Sequence, residues 1–167
     1  MYKKSILKDP FTSLFKTKLF SLKYLKKNDK IIISLSGGID STTLLFLLHS
    51  INIFKIIVAH VDHSIRADSI KDRMFVESLC RDLKIPFFSK TLSLYSKSKK
   101  DSLEQWAREK RYGYLNDLAT ETDSDWIMTG HHCNDNAETI LMNLSRQAGV
   151  SGLSGIPQKD GKIVRPL

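Results

Sequence analysis

The segment Ser36-Gly37-Gly38-Ile39-Asp40-Ser41 lies between an isoleucine-rich run, Lys30–Leu35, and an apolar stretch, Ser41–Ser50. A short, almost wholly apolar run is the signature of a strand buried on both faces of a parallel sheet. The stretch that follows has the length and composition of a helix. Two glycines at the junction let the backbone turn sharply and approach an anion with no Cβ in the way. Ser36 and Ser41 add hydroxyl donors. Free amides at the helix N-terminus point outward, and the helix dipole favours negative charge there. Asp40 suits Mg2+, which neutralises phosphates. A plain tight turn needs neither the serines nor the aspartate. The pattern is not Gly-x-x-x-x-Gly-Lys-Ser/Thr, since it has no lysine, and it is not Gly-x-Gly-x-x-Gly.

The rest of the chain alternates in the same way. Leu14, Phe15, Leu19, Leu22 and Leu25 recur near a 3.6-residue period and predict an amphipathic helix within 12–27, ended by Asn28-Asp29. Phe54–His60 is a second buried strand. Asp68 or Ser69 caps a helix to about Lys84, with Phe75, Val76, Leu79, Cys80 and Leu83 on its inner side. Phe87–Leu94 is a third strand and 95–100 a polar loop. Asp101 or Ser102 caps a helix from Leu103 to about Thr120. Trp126–Gly130 is a fourth strand and Asn134–Arg146 a fourth helix. Glycine-rich 147–161 is irregular, and Lys162–Pro166 is a last strand. Such alternation predicts an α/β fold: a doubly wound, mainly parallel sheet with helices on both faces.

The net charge of +8 is unevenly placed. Residues 1–30 hold nine lysines and two aspartates, while the rest is nearly balanced. The expected organisation is a basic helical arm over 1–29 and one domain over 30–167. Such an arm suits a phosphate backbone, so nucleic acid is a candidate partner; a merely solvated lysine-rich face is the plainer alternative. Two cysteines, Cys80 and Cys133, with no Cys-x-x-Cys pair, fit a reducing compartment. No apolar run approaches the ~20 residues that span a bilayer. The expectation is a cytoplasmic protein without membrane contact. Arg165-Pro166-Leu167 follows directly on a strand-like run, which suggests the N-terminal part of a longer protein.

Ser36–Ser41 resembles the PP-loop, the pyrophosphate-binding signature of the N-type ATP pyrophosphatases. Further segments narrow the resemblance. They are His60-Val61-Asp62-His63-Ser64-Ile65-Arg66, Glu104–Tyr112, Gly130-His131-His132-Cys133-Asn134-Asp135-Asn136-Ala137-Glu138-Thr139, Gly152-Leu153-Ser154-Gly155-Ile156 and Arg165-Pro166-Leu167. In this order they resemble the tRNA(Ile)-lysidine synthase family from about residue 30 to the end.

That resemblance implies a ligase using ATP and Mg2+. ATP adenylates the C2 carbonyl oxygen of the wobble cytidine in CAU-anticodon isoleucine tRNA and releases pyrophosphate. The ε-amine of free L-lysine then attacks C2 and expels AMP. It also implies site residues. Ser36, Gly37, Gly38, Ile39, Asp40, Ser41, His60 and Asp62 bind ATP, with Asp40, and less firmly Asp62, at the Mg2+. Arg108, Arg111, His131, Asp135 and Glu138 join Asp40 in catalysis. Asp135 and Glu138 receive the lysine substrate and help deprotonate it, as an ammonium group requires. Arg108 and Arg111 share a helix face, and spacing does not separate their roles; His132 packs or caps. A homodimer is admissible.

Asn134 and Asn136 stand where many members have Asp and Gln, and Gln147 where a glycine is common after Arg146. Plainer readings remain for single residues: Asp40 as a helix cap, Asp62 as a turn residue, the arginines as a solvated pair, Asp135 and Glu138 as favourable charges at a helix start. Three other functions compete. They are a tRNA thiolase, a zinc protein using His60, His63, His131 and His132 with Asp62 and Cys133, and a nucleotide-binding module without full activity.

Overall fold

The computed structural model describes residues 9–62, 69–92, 102–145 and 154–167. Expectations for Asp68, Asp101, His63–Arg66, the loop 95–100, Arg146-Gln147 and Gly152-Leu153 fall outside these residues. The elements are α1 (Pro10–Ser21), β1 (Lys30–Ser34), α2 (Ile39–Ile51), β2 (Lys55–Asp62), α3 (Ser69–Leu83) and β3 (Phe87–Thr91). They continue with α4 (Leu103–Glu121), β4 (Trp126–Thr129), α5 (Cys133–Ser145), β5 (Lys159–Asp160) and β6 (Ile163–Val164).

Among the described residues the strands form one sheet in the order β3-β2-β1-β4-β6-β5. All pairs are parallel except β5 with β6. The chain steps outward from β1 through β2 to β3, then returns to β1's other side with β4. Strand order therefore reverses between β1 and β4, and a crevice opens there at the strands' carboxyl ends.

Alternate residues of β1 serve opposite faces, as the strand's two-residue period demands. Ile31 and Ile33 join a cluster with Leu44, Leu45 and Leu48 of α2 and Val76 and Cys80 of α3. Ile32 faces the other way, with Ile57, Ile127 and Leu115, Leu118 and Ala119 of α4. Helices thus cover both faces, as the alternation requires. Ile31, Ile32 and Ile33 are fully buried, each worth about 1.5–3 kcal/mol of transfer free energy.

The first helix is shorter than its apolar spacing predicts. Pro10 occupies its first turn and Asp9 caps it, accepting from the Phe11 amide at 2.8 Å. Phe15 and Leu19 enter the core cluster while Leu14 stays exposed. Lys16, Lys18, Lys23, Lys26 and Lys27 face solvent. On α3, Phe75 is exposed rather than inner, whereas Val76 and Cys80 are buried. Within the glycine-rich segment, Lys159–Asp160 forms a strand that spacing did not predict; it exists only through its antiparallel pairing with β6. Ser102 caps α4, its hydroxyl accepting from the Gln105 amide at 3.1 Å. No helix among the described residues is long and apolar enough to cross a membrane.

Candidate active site

The segment Ser36–Ser41 lies at the carboxyl end of β1, in the crevice beside β4. Gly37 has φ +93°, a left-handed conformation that side chains resist, and α3 packs beside it through Asp72 and Val76. Gly38 is the N-cap of α2 and supplies no side-chain cap. The first-turn amides are therefore not taken by a cap, which suits an anion. Ser41 Oγ donates to the Gly38 carbonyl at 3.1 Å and sits 3.1 Å from Ser36 Oγ. The Ser36 amide donates to Ser41 Oγ, and the Gly38 amide to Ser36 Oγ, each at 3.3 Å.

A cavity of about 160 Å³ opens over this loop. Ser36, Gly38, Asp40 and Ser41 wall one side, and Arg111 of α4 reaches it from across the sheet. Ser34, Thr129, Gly130, His131 and Asp135 complete the wall. Ser34 and Thr129 are register partners at the ends of β1 and β4. Gly130 is tightly constrained: a Cβ there would lie 2.8 Å from the Ser41 nitrogen. Only glycine lets the start of α2 approach β4 this closely.

The segment after β4 carries the remaining polar groups. The His132 backbone N–H donates to Asp135 Oδ2 at 2.8 Å. The His132 ring lies between two carboxylates, with Nε2 3.5 Å from Asp40 Oδ2 and Nδ1 3.7 Å from Asp135 Oδ2. Its Nδ1 also accepts the Asn134 amide at 3.2 Å, capping α5. His132 thus links the loop aspartate to the helix aspartate. His131 turns the other way, with Nδ1 2.8 Å from Thr129 Oγ1. Burial, then the positive charges of Arg111 and Arg165, push the His131 pKa down to about 4. It is a neutral imidazole near pH 7.

The other expected residues are placed differently. His60 is buried, and its Nδ1 lies 2.8 Å from the Leu35 carbonyl oxygen. It fixes the backbone that enters the loop and does not wall the cavity. Asp62 is buried at the end of β2, also away from that wall. Ile39 is exposed. Arg108 lines a neighbouring cavity of about 580 Å³, between α4 and the β5–β6 hairpin. Geometry therefore separates the two arginines that spacing could not. Glu138 is exposed on α5 and lines none of the cavities described here. Asn136 Oδ1 accepts the Ile156 amide, tying α5 to the Ser154–Ile156 turn.

Ser34 and Thr129 wall the PP-loop cavity but stand out weakly in sequence, and Arg165, read only as part of the Arg165-Pro166-Leu167 segment, walls the neighbouring cavity. The available signal was a polar residue closing an apolar strand beside the crevice. Arg165 is 6% exposed, and its Nη1 donates to the Pro157 carbonyl at 2.6 Å.

The lining carries both kinds of group. Helix amides and Arg111 suit an anion. Asp40 and Asp135 suit a cation. Hard carboxylate oxygen at Asp40 fits Mg2+, which takes one or two carboxylates and fills its shell with phosphates and water. Among the described residues no cluster of three or more His, Cys, Asp or Glu exists to hold a metal by itself. Cys80 is buried and its thiol pushed up to about 11, so it is a poor nucleophile. Cys133 is exposed.

A sequence profile of PP-loop domains matches residues 7–167. The chain belongs to the PP-loop domain family. The matched region includes the Ser36–Ser41 turn, which resembles the PP-loop signature. It is 37% identical over 158 residues to a tRNA(Ile)-lysidine synthase of Thermosipho africanus, covering 92% of this chain and 37% of that protein. It is 40% identical over 151 residues to a tRNA(Ile)-lysidine synthase of Chlorobaculum tepidum, covering 87% and 46%. The chain thus spans less than half the length of these curated relatives.

Among solved structures, the U34-tRNA thiolase NcsA of Methanococcus maripaludis superposes with a TM-score of 0.76 at 22% identity, covering 96% of this chain and 60% of that one. The NH3-dependent NAD synthetase of Campylobacter jejuni gives 0.51 at 14% identity, covering 92% and 77%. Both share the α/β PP-loop fold.

Proposed function

We propose that the PP-loop domain adenylates the wobble cytidine of CAU-anticodon isoleucine tRNA at C2 and supports attack by free lysine; similarity to proteins named tRNA(Ile)-lysidine synthase supports this reading. The observation that carries this reading is the cavity whose lining brings the PP-loop, with its Asp40, together with Arg111 and Asp135. Nucleotide phosphates and an amine need opposite charges within reach of one reacting centre, and this cavity supplies both.

The first step joins the C2 carbonyl oxygen to the α-phosphorus of ATP and releases pyrophosphate. The first-turn amides of α2 and Arg111 hold the phosphate oxygens and stabilise the charge that develops there, on a loop whose shape the Ser36 and Ser41 hydroxyls set. Asp40 would hold Mg2+, which supplies further neutralisation of the phosphates. His60 keeps the loop entry in place through Leu35. In the second step the lysine amine attacks C2 and AMP leaves. The amine must shed a proton, and Asp135 accepts it as general base. Its Oδ2 is fixed by the His132 amide, which aims the carboxylate. Neutral His131, bonded to Thr129, shapes the wall between the two steps. The exposed lysines of α1 and the segment after it face the RNA backbone. The protein works in the cytoplasm, where its tRNA and ATP are found.

The deciding experiment is incorporation of labelled lysine into CAU-anticodon isoleucine tRNA with ATP and Mg2+, counting AMP released. Incorporation matched by AMP is the expected result. AMP and pyrophosphate without incorporation would reduce the reading to an adenylating domain. Neither product would refute it.

A further inference from the structure

The cavity between α4 and the β5–β6 hairpin lies beside the PP-loop cavity, and the proposed reaction leaves it unused. It measures about 580 Å³, within the range of about 300–1,000 Å³ common for ligand sites. Its walls include Arg108, Tyr112 and Asn116 from α4, and Lys162 and Arg165 from the hairpin side. Two of these residues hold buried polar atoms with no hydrogen-bond partner, the Tyr112 hydroxyl and Arg165 Nε. Buried polar atoms are nearly always paired, and these two orphans lie just beneath the wall of one cavity, where a small side-chain shift would bring them to a ligand. Arg165 is almost wholly buried, which makes its unpaired nitrogen costly.

The kind of ligand follows from the walls. The Arg108 guanidinium sits 5.2 Å from the centre of the Tyr112 ring, and Arg111 is at the same distance. The two guanidiniums are therefore no more than about 10 Å apart, one in each cavity. Aromatic rings and arginine guanidiniums together make surfaces on which an unstacked base lies flat. Arg108, Lys162 and Arg165 outnumber Glu109 and Asp160 in the lining, and Glu109 already accepts from Gln105 at 3.0 Å. The balance suits a ligand with a flat neutral ring and a phosphate.

We propose that this cavity receives one unstacked ribonucleotide of the RNA substrate, its base against Tyr112 and Arg108 and its phosphate toward Arg165. The proposal rests on the reading of the chain as an RNA-modifying domain. It adds a second RNA subsite next to the reacting centre.

The test is fluorescence anisotropy with a short labelled single-stranded RNA containing CAU, and with the same sequence as a duplex, at near-physiological salt. Arg108→Glu removes a cation from the cavity wall. Lys110→Glu makes the same charge change at an exposed position of α4 outside it. Tyr112→Phe removes only the orphan hydroxyl. The expected result is a loss of tenfold or more for Arg108→Glu, at most about threefold for Lys110→Glu, and a measurable loss for Tyr112→Phe, with the single strand preferred to the duplex. Arg108 is exposed, so its replacement does not disturb the core. Equal losses in the Arg108 and Lys110 variants would overturn the proposal, because bulk charge alone would then explain binding. So would equal affinity for the duplex, or no RNA binding by the unaltered chain. Failure of the functional reading shows separately: RNA binding with this variant pattern but no lysine incorporation sinks that reading and leaves the subsite standing.

Discussion

Replacing Gly130 by alanine should damage both the stability and the chemistry of the domain. A Cβ at Gly130 would lie 2.8 Å from the Ser41 nitrogen, 2.9 Å from its Cα and 3.0 Å from the Asp40 carbonyl carbon. Every clashing atom is backbone, so no rotamer change relieves the overlap. The start of α2 must retreat from β4 by roughly half an ångström to restore ordinary contact. Overpacking of this kind costs about 1–3 kcal/mol, and a domain of this size loses about 2–4 °C of Tm per kcal/mol. The same retreat carries Ser41 and Asp40 away from Thr129 and His131. A displacement of about 1 Å can cost about 100-fold in rate, so roughly tenfold is expected here. Gly113→Ala provides the matched control. Gly113 lies within α4 with no atom within 4 Å of its added Cβ, and alanine in a helix interior gains about 0.5–1 kcal/mol. Thermal melts and AMP release, measured on both variants, should move in opposite directions for Tm, with activity lost only in Gly130→Ala. A Gly130→Ala protein with unchanged Tm and AMP rate would refute the claim that this contact sets the site.

Three further outcomes are expected. Asp40→Ala should abolish AMP formation while leaving Tm within about 2 °C, because its side chain is 52% exposed; normal AMP release would remove Asp40 from the chemistry. Asp135→Asn should raise the lysine concentration needed for half-maximal rate more than the ATP concentration, and equal shifts in steady-state assays would count against a lysine pocket there. His131 in the folded chain has its pKa pushed from 6.5 down to about 4 by burial and by Arg111 and Arg165. Between those values the unfolded chain binds the proton first, so stability falls as pH drops through this window and this group adds nothing above it. Urea denaturation across that range should show a shallower fall in His131→Gln, and parallel curves for the two proteins would contradict the assignment.

The strands and helices that carry strong local patterns were legible in the sequence. Ile31–Ile33 could only be a strand buried on both faces, and the Gly37-Gly38 turn could only be a tight junction. Ser102 announced its helix by capping chemistry. What local pattern could not show depended on distant partners. Lys159–Asp160 is a strand because β6 lies beside it. Phe75 is exposed because of how α3 lies on the sheet, although its spacing suits an inner face. Arg108 and Arg111 are equivalent along the helix, and only the positions of the PP-loop and the hairpin separate them. Gly130 looks like an ordinary strand end until α2 is brought so close that an added Cβ would lie within 3 Å of its backbone. His132 reads as a cap, and it is one, but its place between Asp40 and Asp135 requires β1 and β4 to be neighbours.

The hydrogen bonds of the PP-loop close within the loop. Ser41 Oγ holds the Gly38 carbonyl and the Ser36 amide, and Ser36 Oγ holds the Gly38 amide. The backbone conformation proposed to meet a phosphate is set by the loop's own hydroxyls. Nucleotide association then needs no preceding conformational step. Its observed rate should rise linearly with nucleotide concentration without reaching a plateau, and its heat-capacity change should be that of a rigid surface. Speed at this site is governed by encounter, and selectivity by how long the ligand stays.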